Sequence, residues 1–288
     1  MSDAEFCFAR SGSFRIDIDV CGRALKSESI SPLTRATLYL RRGEAFLHGR
    51  AYDLVHKDID QALLLNPYSS QAYALRGSAQ IKSGNYSLSS EIYTTLIKLN
   101  LHSADAYKGR GLAYLHQGRF GSAVSDFSVA HGLSPADPET IALLGIAEFA
   151  RGEDAKAIAH LEDALARAYP YPLGYLWLYF AAKRADKPFG NYVEEGMNET
   201  SPEIWPGPLL RAAFGKTSPS AAWNMAQCDN RRSQRRLLQT AFYLGVAEAL
   251  ADERPNARDL LERALGAKNI HDAIEQPIAR QILGNLSR

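Results

Sequence analysis

The sequence predicts an all-α solenoid, a right-handed superhelix of stacked helix-turn-helix units. Three observations predict it. First, Gly43, Gly77, Gly111 and Gly145 recur every 34 residues, and Tyr39, Tyr73 and Tyr107 keep the same period, with Ile141 in the fourth copy. Second, fixed offsets carry a matching set: Val55, Ser89, Ala123 and Ala157; Ile59, Tyr93, Phe127 and Leu161; Ala62, Leu96, Ala130 and Ala164. Third, breakers punctuate the copies, with Gly84, Gly118 and Gly152 inside them and Pro67 and Pro135 at two of their ends. A period of about 20–50 residues held through several copies marks units that bury their apolar faces against their neighbours.

Each copy reads as two helices. Helix A ends at the internal glycine, a residue suited to a helix C-terminus. Helix B ends near "LNP" or "LSP", because proline disfavours helical backbone in the residue before it. Glycine on helix A and alanine on helix B let the two backbones approach, and aromatic and branched residues fill the space between hairpins. In order, the chain reads as an N-terminal segment and helix (1–35) and four copies (36–69, 70–103, 104–137, 138–171). A degenerate fifth copy (172–200) and an irregular helical insert (201–237) follow, then a sixth copy (238–271) and a capping helix (272–288). The fifth copy keeps Tyr175, Tyr179 and Ala182, but its second half, "FGNYVEEGMN", is short and glycine-broken. Gly245, Ala257, Leu261 and Ala264 restore the offsets in the sixth. In the insert, Trp205 to Pro208 opens a short helix that Gly215 ends, and Trp205 is expected to pack against the fifth and sixth copies. The capping helix is expected to turn Glu275, Gln276, Arg280 and Gln281 outward.

From Ala36 to Tyr171 this pattern resembles the tetratricopeptide repeat (TPR), whose consensus is an aromatic, Leu-Gly, an aromatic, A-x3-F and a final proline. One departure is systematic. Arginine precedes the glycine at Arg42, Arg76 and Arg110, and helix B carries Asp58 and Asp126, so Arg42–Asp58 and Arg110–Asp126 pairs are expected. The fourth copy has Leu144 and His160 there and loses both charges. The C-terminal third, Ser201 to Leu286, is similar to the new lipoprotein I family of periplasmic TPR adaptors. That likeness rests on Trp205, Pro206, Pro208, Gly215, Ala226, Arg231 to Arg236, Phe242 to Gly245, Ala257, Leu261, Ala264, Ile274, Glu275 and Ala279. It implies a scaffold that links cell-envelope proteins such as a protease or a cell-wall hydrolase. No lipobox cysteine is visible, so a lipid anchor is not implied.

Composition is that of an ordinary globular chain: 46% apolar, 23% charged, formal net charge +1. No bulk charge points to nucleic acid or an anionic membrane, and no apolar run reaches the ~20 residues of a membrane span. "MSDAEFCFARSG" is not a secretory signal as it stands. The compartment is periplasmic if a signal was removed, and otherwise cytoplasmic. Cys7, Cys21 and Cys228 read either as three buried thiols or as a Cys7–Cys21 disulfide with one thiol left. The "C…ID-VCGRAL-S" pattern before the repeats resembles exported bacterial TPR proteins in which such a cysteine pair recurs, which strengthens the second reading.

Catalytic and cofactor signals are missing. "FGKTS" lacks the first glycine of a phosphate loop, because Leu210 stands there, and the residues before it read as helix rather than strand. His48 and His116 share a repeat position two copies apart, too distant for a common metal. No metal, cofactor or catalytic residue is therefore expected. "RRSQRR", Arg231 to Arg236, reads as a solvated helix start or as a dock for an acidic partner.

TPR proteins that bind peptides use the concave face of their A helices. Carried over, those positions include Leu40 and Glu44, Ala74 and Ser78, Lys108 and Leu112, and Ala142 and Ile146, with Phe149 beside them. The lysine-asparagine carboxylate clamp of chaperone-binding relatives is missing. The face becomes apolar toward Ile146 and Phe149, which suits either a hydrophobic partner or filling by the fifth copy and the insert. The expected function is a non-enzymatic adaptor that binds a protein or peptide. The alternative is a structural subunit that forms a homodimer through its apolar C-terminal repeats. On this reading Leu112→Asp and Ile146→Asp abolish partner capture without unfolding the array.

Overall fold

The structure, a computed structural model, describes Cys7 and residues 13–100, 102–167, 171–227, 233–268 and 270–287; Cys228, Arg231 and Arg232 lie outside them. The described residues form an all-α solenoid of sixteen helices with no strand. They are α1 (Phe14–Ala24), α2 (Pro32–His48), α3 (Tyr52–Leu65), α4 (Ser70–Lys82), α5 (Tyr86–Leu99), α6 (Ala104–His116), α7 (Phe120–Leu133), α8 (Pro138–Arg151), α9 (Asp154–Ala166), α10 (Gly174–Arg184), α11 (Gly190–Asn198), α12 (Gly207–Ala213), α13 (Pro219–Gln227), α14 (Ser233–Leu250), α15 (Arg254–Gly266) and α16 (Glu275–Leu286). Two compact units divide within α6: residues 1–113 and 114–288.

Local signals set the helix ends. Ser69, Ser103 and Asp137 stand 34 residues apart, and each side chain accepts a backbone N–H of the first helical turn, from Ala72, Ala106 and Glu139 at 3.3, 3.2 and 3.1 Å. Such caps satisfy donors that the helix leaves unpaired. At the other end of helix A, Arg50, Gly84, Gly118, Gly152 and Asp186 all have positive φ, again at intervals of 34. Three are the glycines that the pattern marks. Arg50 and Asp186 adopt the same left-handed turn despite carrying a Cβ, so backbone geometry keeps the period where residue identity does not.

In the first unit, Val55, Ile59, Leu75 and Ala79 form one core cluster, and Tyr93, Leu96, Ala106 and Ala113 another. Tyr93 lies between two glycines. A Cβ on Gly77 would come within 2.5 Å of Tyr93 Cε2, and a Cβ on Gly109 would overlap the opposite edge of the ring. Gly109 stands where the other copies have Arg41, Leu75 and Leu143, so the widest residue of its series is matched by the smallest neighbour. Arg42 makes the expected bidentate pair with Asp58, at 2.7 and 2.8 Å. Arg76 reaches back sixteen residues to Asp60, and Arg110 donates to Thr94 Oγ1, also sixteen residues back, at 3.2 Å. Arg110 belongs to the first unit and Asp126 to the second. Cys7 and Cys21, both buried, are joined by a disulfide beside Val20, Ala24 and Leu38.

The second unit is built around α8, buried from Thr140 to Ala150. Trp177 of α10 is its aromatic hub, with ring centroids 5.4, 5.6 and 5.5 Å from Phe149, Phe242 and Tyr243. Gly145 and Gly245 do the same job: a Cβ on either would come within 3 Å of a leucine sixteen residues on, Leu161 or Leu261. The fourth copy does not simply lose its buried pair. Glu148, 3% exposed, is bonded to His160 Nδ1 at 2.7 Å. That bond raises the His160 pKa above the ordinary imidazole value.

The insert is core. Leu209 and Leu210 are fully buried, and Gly215, at φ +70°, turns the chain after α12. Arg211 donates to the carbonyls of Met197 and Thr200, both at 3.0 Å, and a Cβ on Gly207 would collide with the Ser201 carbonyl. The Trp205–Pro206 peptide is cis. Trp205 is half-buried under the Arg236 guanidinium, 5.6 Å from its ring centroid. The expected polar outer face of the capping helix is corrected. Of its four residues only Arg280 is exposed. Glu275 is 1% exposed and accepts from Gln239 at 3.3 Å, Gln276 donates to the Ala267 carbonyl at 3.2 Å, and Gln281 donates to the Ala150 carbonyl. The helix packs inward, so these side chains bond to protein rather than to water.

Candidate protein-binding face

In the first unit α2 and α4 lie side by side, followed by the start of α6. Their face carries Glu44, Ala74, Ser78, Lys108 and Leu112, all half-buried. Leu40, at 6% exposure, belongs to the core below it. Glu44 pairs with Arg41 at 3.3 Å, and Lys108 with Asp105 at 3.8 Å. Both pairs are local, three residues apart on one helix. Ala74 and Leu112 pack onto the Tyr93 cluster.

Tyr93 is the residue that pattern reading missed here. Its hydroxyl donates to the Ala74 carbonyl at 3.2 Å, so the 3.0 Å contact with Ser78 is Ser78 donating to Tyr93. Burial pushes the Tyr93 pKa up, which keeps the group neutral. A filler residue therefore fixes two positions of the face. The aromatic at that repeat position was visible in the sequence, but its reach was not.

The corresponding positions of the second unit differ. Ala142, Ile146 and Phe149 are 3%, 1% and 1% exposed. Trp177 covers the edge of the Phe149 ring. The Arg184 guanidinium sits 4.0 Å from that ring's centroid and donates to the Phe149 carbonyl at 2.5 Å. These three are corrected from face residues to core residues. The fifth copy and the later helices supply the apolar surface that a partner would otherwise bring.

The remaining sequence candidates resolve plainly. Arg235 pairs with Asp272 at 3.1 Å and Arg236 covers Trp205, so neither is held out for an acidic partner. Lys216 is exposed after a helix, without a strand or glycine cradle. His116 is buried, and burial drives its pKa down to about 4. Among the described residues no three His, Cys, Asp or Glu side chains are grouped to hold a metal, and no helix is long and apolar enough to cross a membrane.

Comparison with known proteins agrees with the repeat pattern. Residues 58–138 match the tetratricopeptide repeat family. No curated protein matches the chain. Among solved structures, PilW, a type IV pilus biogenesis factor, is similar at TM-score 0.60 and 17% identity, over 75% of this chain and 94% of its own. The C-terminal part of a TPR repeat-containing protein from Cytophaga hutchinsonii gives 0.54 and 19%, over 92% and 94%. PilF of Pseudomonas aeruginosa gives 0.53 and 15%, over 84% and 94%. At these identities the likeness is one of fold.

Proposed function

We propose that the protein is a non-enzymatic adaptor that binds a protein or peptide on the A-helix face of its first unit. One observation carries this: Glu44, Ser78, Lys108 and Leu112 remain part-exposed on that face, while the second unit buries Ala142 and Ile146 at its equivalent positions. A solenoid face of this kind offers extended area rather than an enclosed reaction chamber. Its apolar floor and charged side chains suit an extended or helical segment with both charged and apolar side chains. The TPR match supports the reading. The resemblance of the C-terminal third to the new lipoprotein I family makes cell-envelope proteins the first partners to test. A buried disulfide is consistent with an exported protein. One free thiol in protein taken from its native compartment would support export, and three would sink it. Capture of the partner by the full chain should be lost in Leu112→Asp and Lys108→Glu with the thermal transition kept. Undiminished capture by both variants would overturn the proposed face.

A further inference from the structure

In the first unit a polar bridge joins α3 to α4. Gln80 Nε2 lies 3.3 Å from His56 Nε2, Asn85 donates to Gln80 Oε1 at 2.9 Å, and Tyr86 and Leu88 follow on α5. The left-handed residues at intervals of 34 hold that register as far as Asp186. The fifth copy therefore has Ala182 for Gln80, Pro188 for Tyr86 and Gly190 for Leu88, and the fourth has Ile158 for His56. Each change removes bulk or a polar bridge. A Cβ on Gly190 would meet nothing within 4 Å. The result is a cavity of about 410 Å³ between α9 and α11, lined by Ala155, Ile158, Lys187, Pro188, Asn191 and Tyr192. Its size and mostly apolar lining are those of a ligand site. The Tyr192 ring is held by its hydroxyl, which donates to Glu162, and Asp154 is taken by Arg184. Lys187 is exposed and has no ion-pair partner among the described residues.

We infer that this cavity is a second docking site, which accepts an aromatic-sized apolar side chain of a protein partner with a carboxylate beside it. The side chain lies against Pro188 and Tyr192, where an aromatic ring packs well on the Tyr192 ring. The carboxylate pairs with Lys187. The inference stands independently of the first unit's face.

The test uses the full chain and 3-phenylpropionate, an aromatic ring carrying a carboxylate, followed by amide NMR. Saturable shifts are expected at Ile158, Gly190 and Asn191, with a Kd on the order of a few millimolar for so small a ligand. Lys187→Gln should weaken binding about fivefold, as expected for one exposed ion pair. Gly190→Leu, which restores the residue of the second copy, should abolish it. Absence of saturable shifts at these amides overturns the inference. So does equal binding of the neutral 3-phenylpropionamide, or unchanged binding by folded Gly190→Leu. Lys187→Gln lies on the surface and keeps the test decisive if Gly190→Leu does not fold.

Discussion

Gly109→Ala adds a single methyl group where the ring of Tyr93 already lies. The new Cβ would be 2.8 Å from Cε2 and closer still to the Cε1–Cζ edge. The ring cannot move away, because Gly77 bounds its other side and Tyr93 is 4% exposed. Overpacking of this kind costs ~1–3 kcal/mol, while Gly to Ala within a helix returns ~1 kcal/mol. The net expectation is a loss of about 0–2 kcal/mol. Tyr93→Ile, which copies Ile59, removes the obstructing ring. In that background Gly109→Ala keeps only the propensity gain and should stabilise by ~1 kcal/mol. A double-mutant cycle in urea, read by far-UV circular dichroism, should thus give a coupling energy of ~1–3 kcal/mol. If Gly109→Ala changes stability equally in the parent chain and in the Tyr93→Ile background, the two positions are not coupled and the packing argument fails.

Other perturbations test other parts of the account. Arg50→Gly and Asp186→Gly relieve left-handed backbone and should each raise stability by about 0.5–1 kcal/mol in thermal melts; a loss at both sites would count against strain there. Ile146→Asp places a charge in the core and should remove ~3 kcal/mol or more, whereas the half-buried Leu112→Asp should cost about 1 kcal/mol; equal effects in urea melts would contradict the assignment of one to the core and the other to the face. The two buried-side imidazoles act in opposite directions with pH. The raised pKa of His160 makes its bond to Glu148 fully stabilising below about pH 6.5 and weaker as pH rises through its folded value. His116, held near 4, leaves stability intact above about pH 6.5 and takes away roughly 3 kcal/mol as pH falls toward 4. His116→Leu should therefore flatten the acid limb of a stability-pH curve, and His160→Gln the neutral-to-alkaline limb; unchanged limbs would refute the assignments.

The fold was legible because a period of 34 states both the length of a hairpin and which residues meet inside it. The Arg42–Asp58 pair followed from the same spacing. The bond from Arg76 back to Asp60 did not, because Ile92 stands sixteen residues ahead and the acceptor lies in the preceding copy. Arg50 and Asp186 hid two left-handed turns, since nothing in their side chains demands that backbone. The face was legible only in part. Ala142 and Ile146 occupy the same repeat positions as Ala74 and Ser78. Ala142 lies with Ile141 and Ala164 in a core cluster, and Trp177 of the degenerate fifth copy, with Phe242 and Tyr243 beside it, covers the neighbouring Phe149. Glu275 misled for a similar reason: a polar residue on a terminal helix suggests solvent, and only the tertiary packing of α16 shows otherwise.

The central claim is that partners are held on the first unit's A-helix face. Site-specific photocrosslinking in cells tests it most directly, with benzoylphenylalanine in place of Lys108 or Leu112, and in place of Glu91, which is exposed on helix α5. The account predicts a discrete crosslinked species from the first two positions and none from Glu91. The same species from all three positions, or from Glu91 alone, would contradict it.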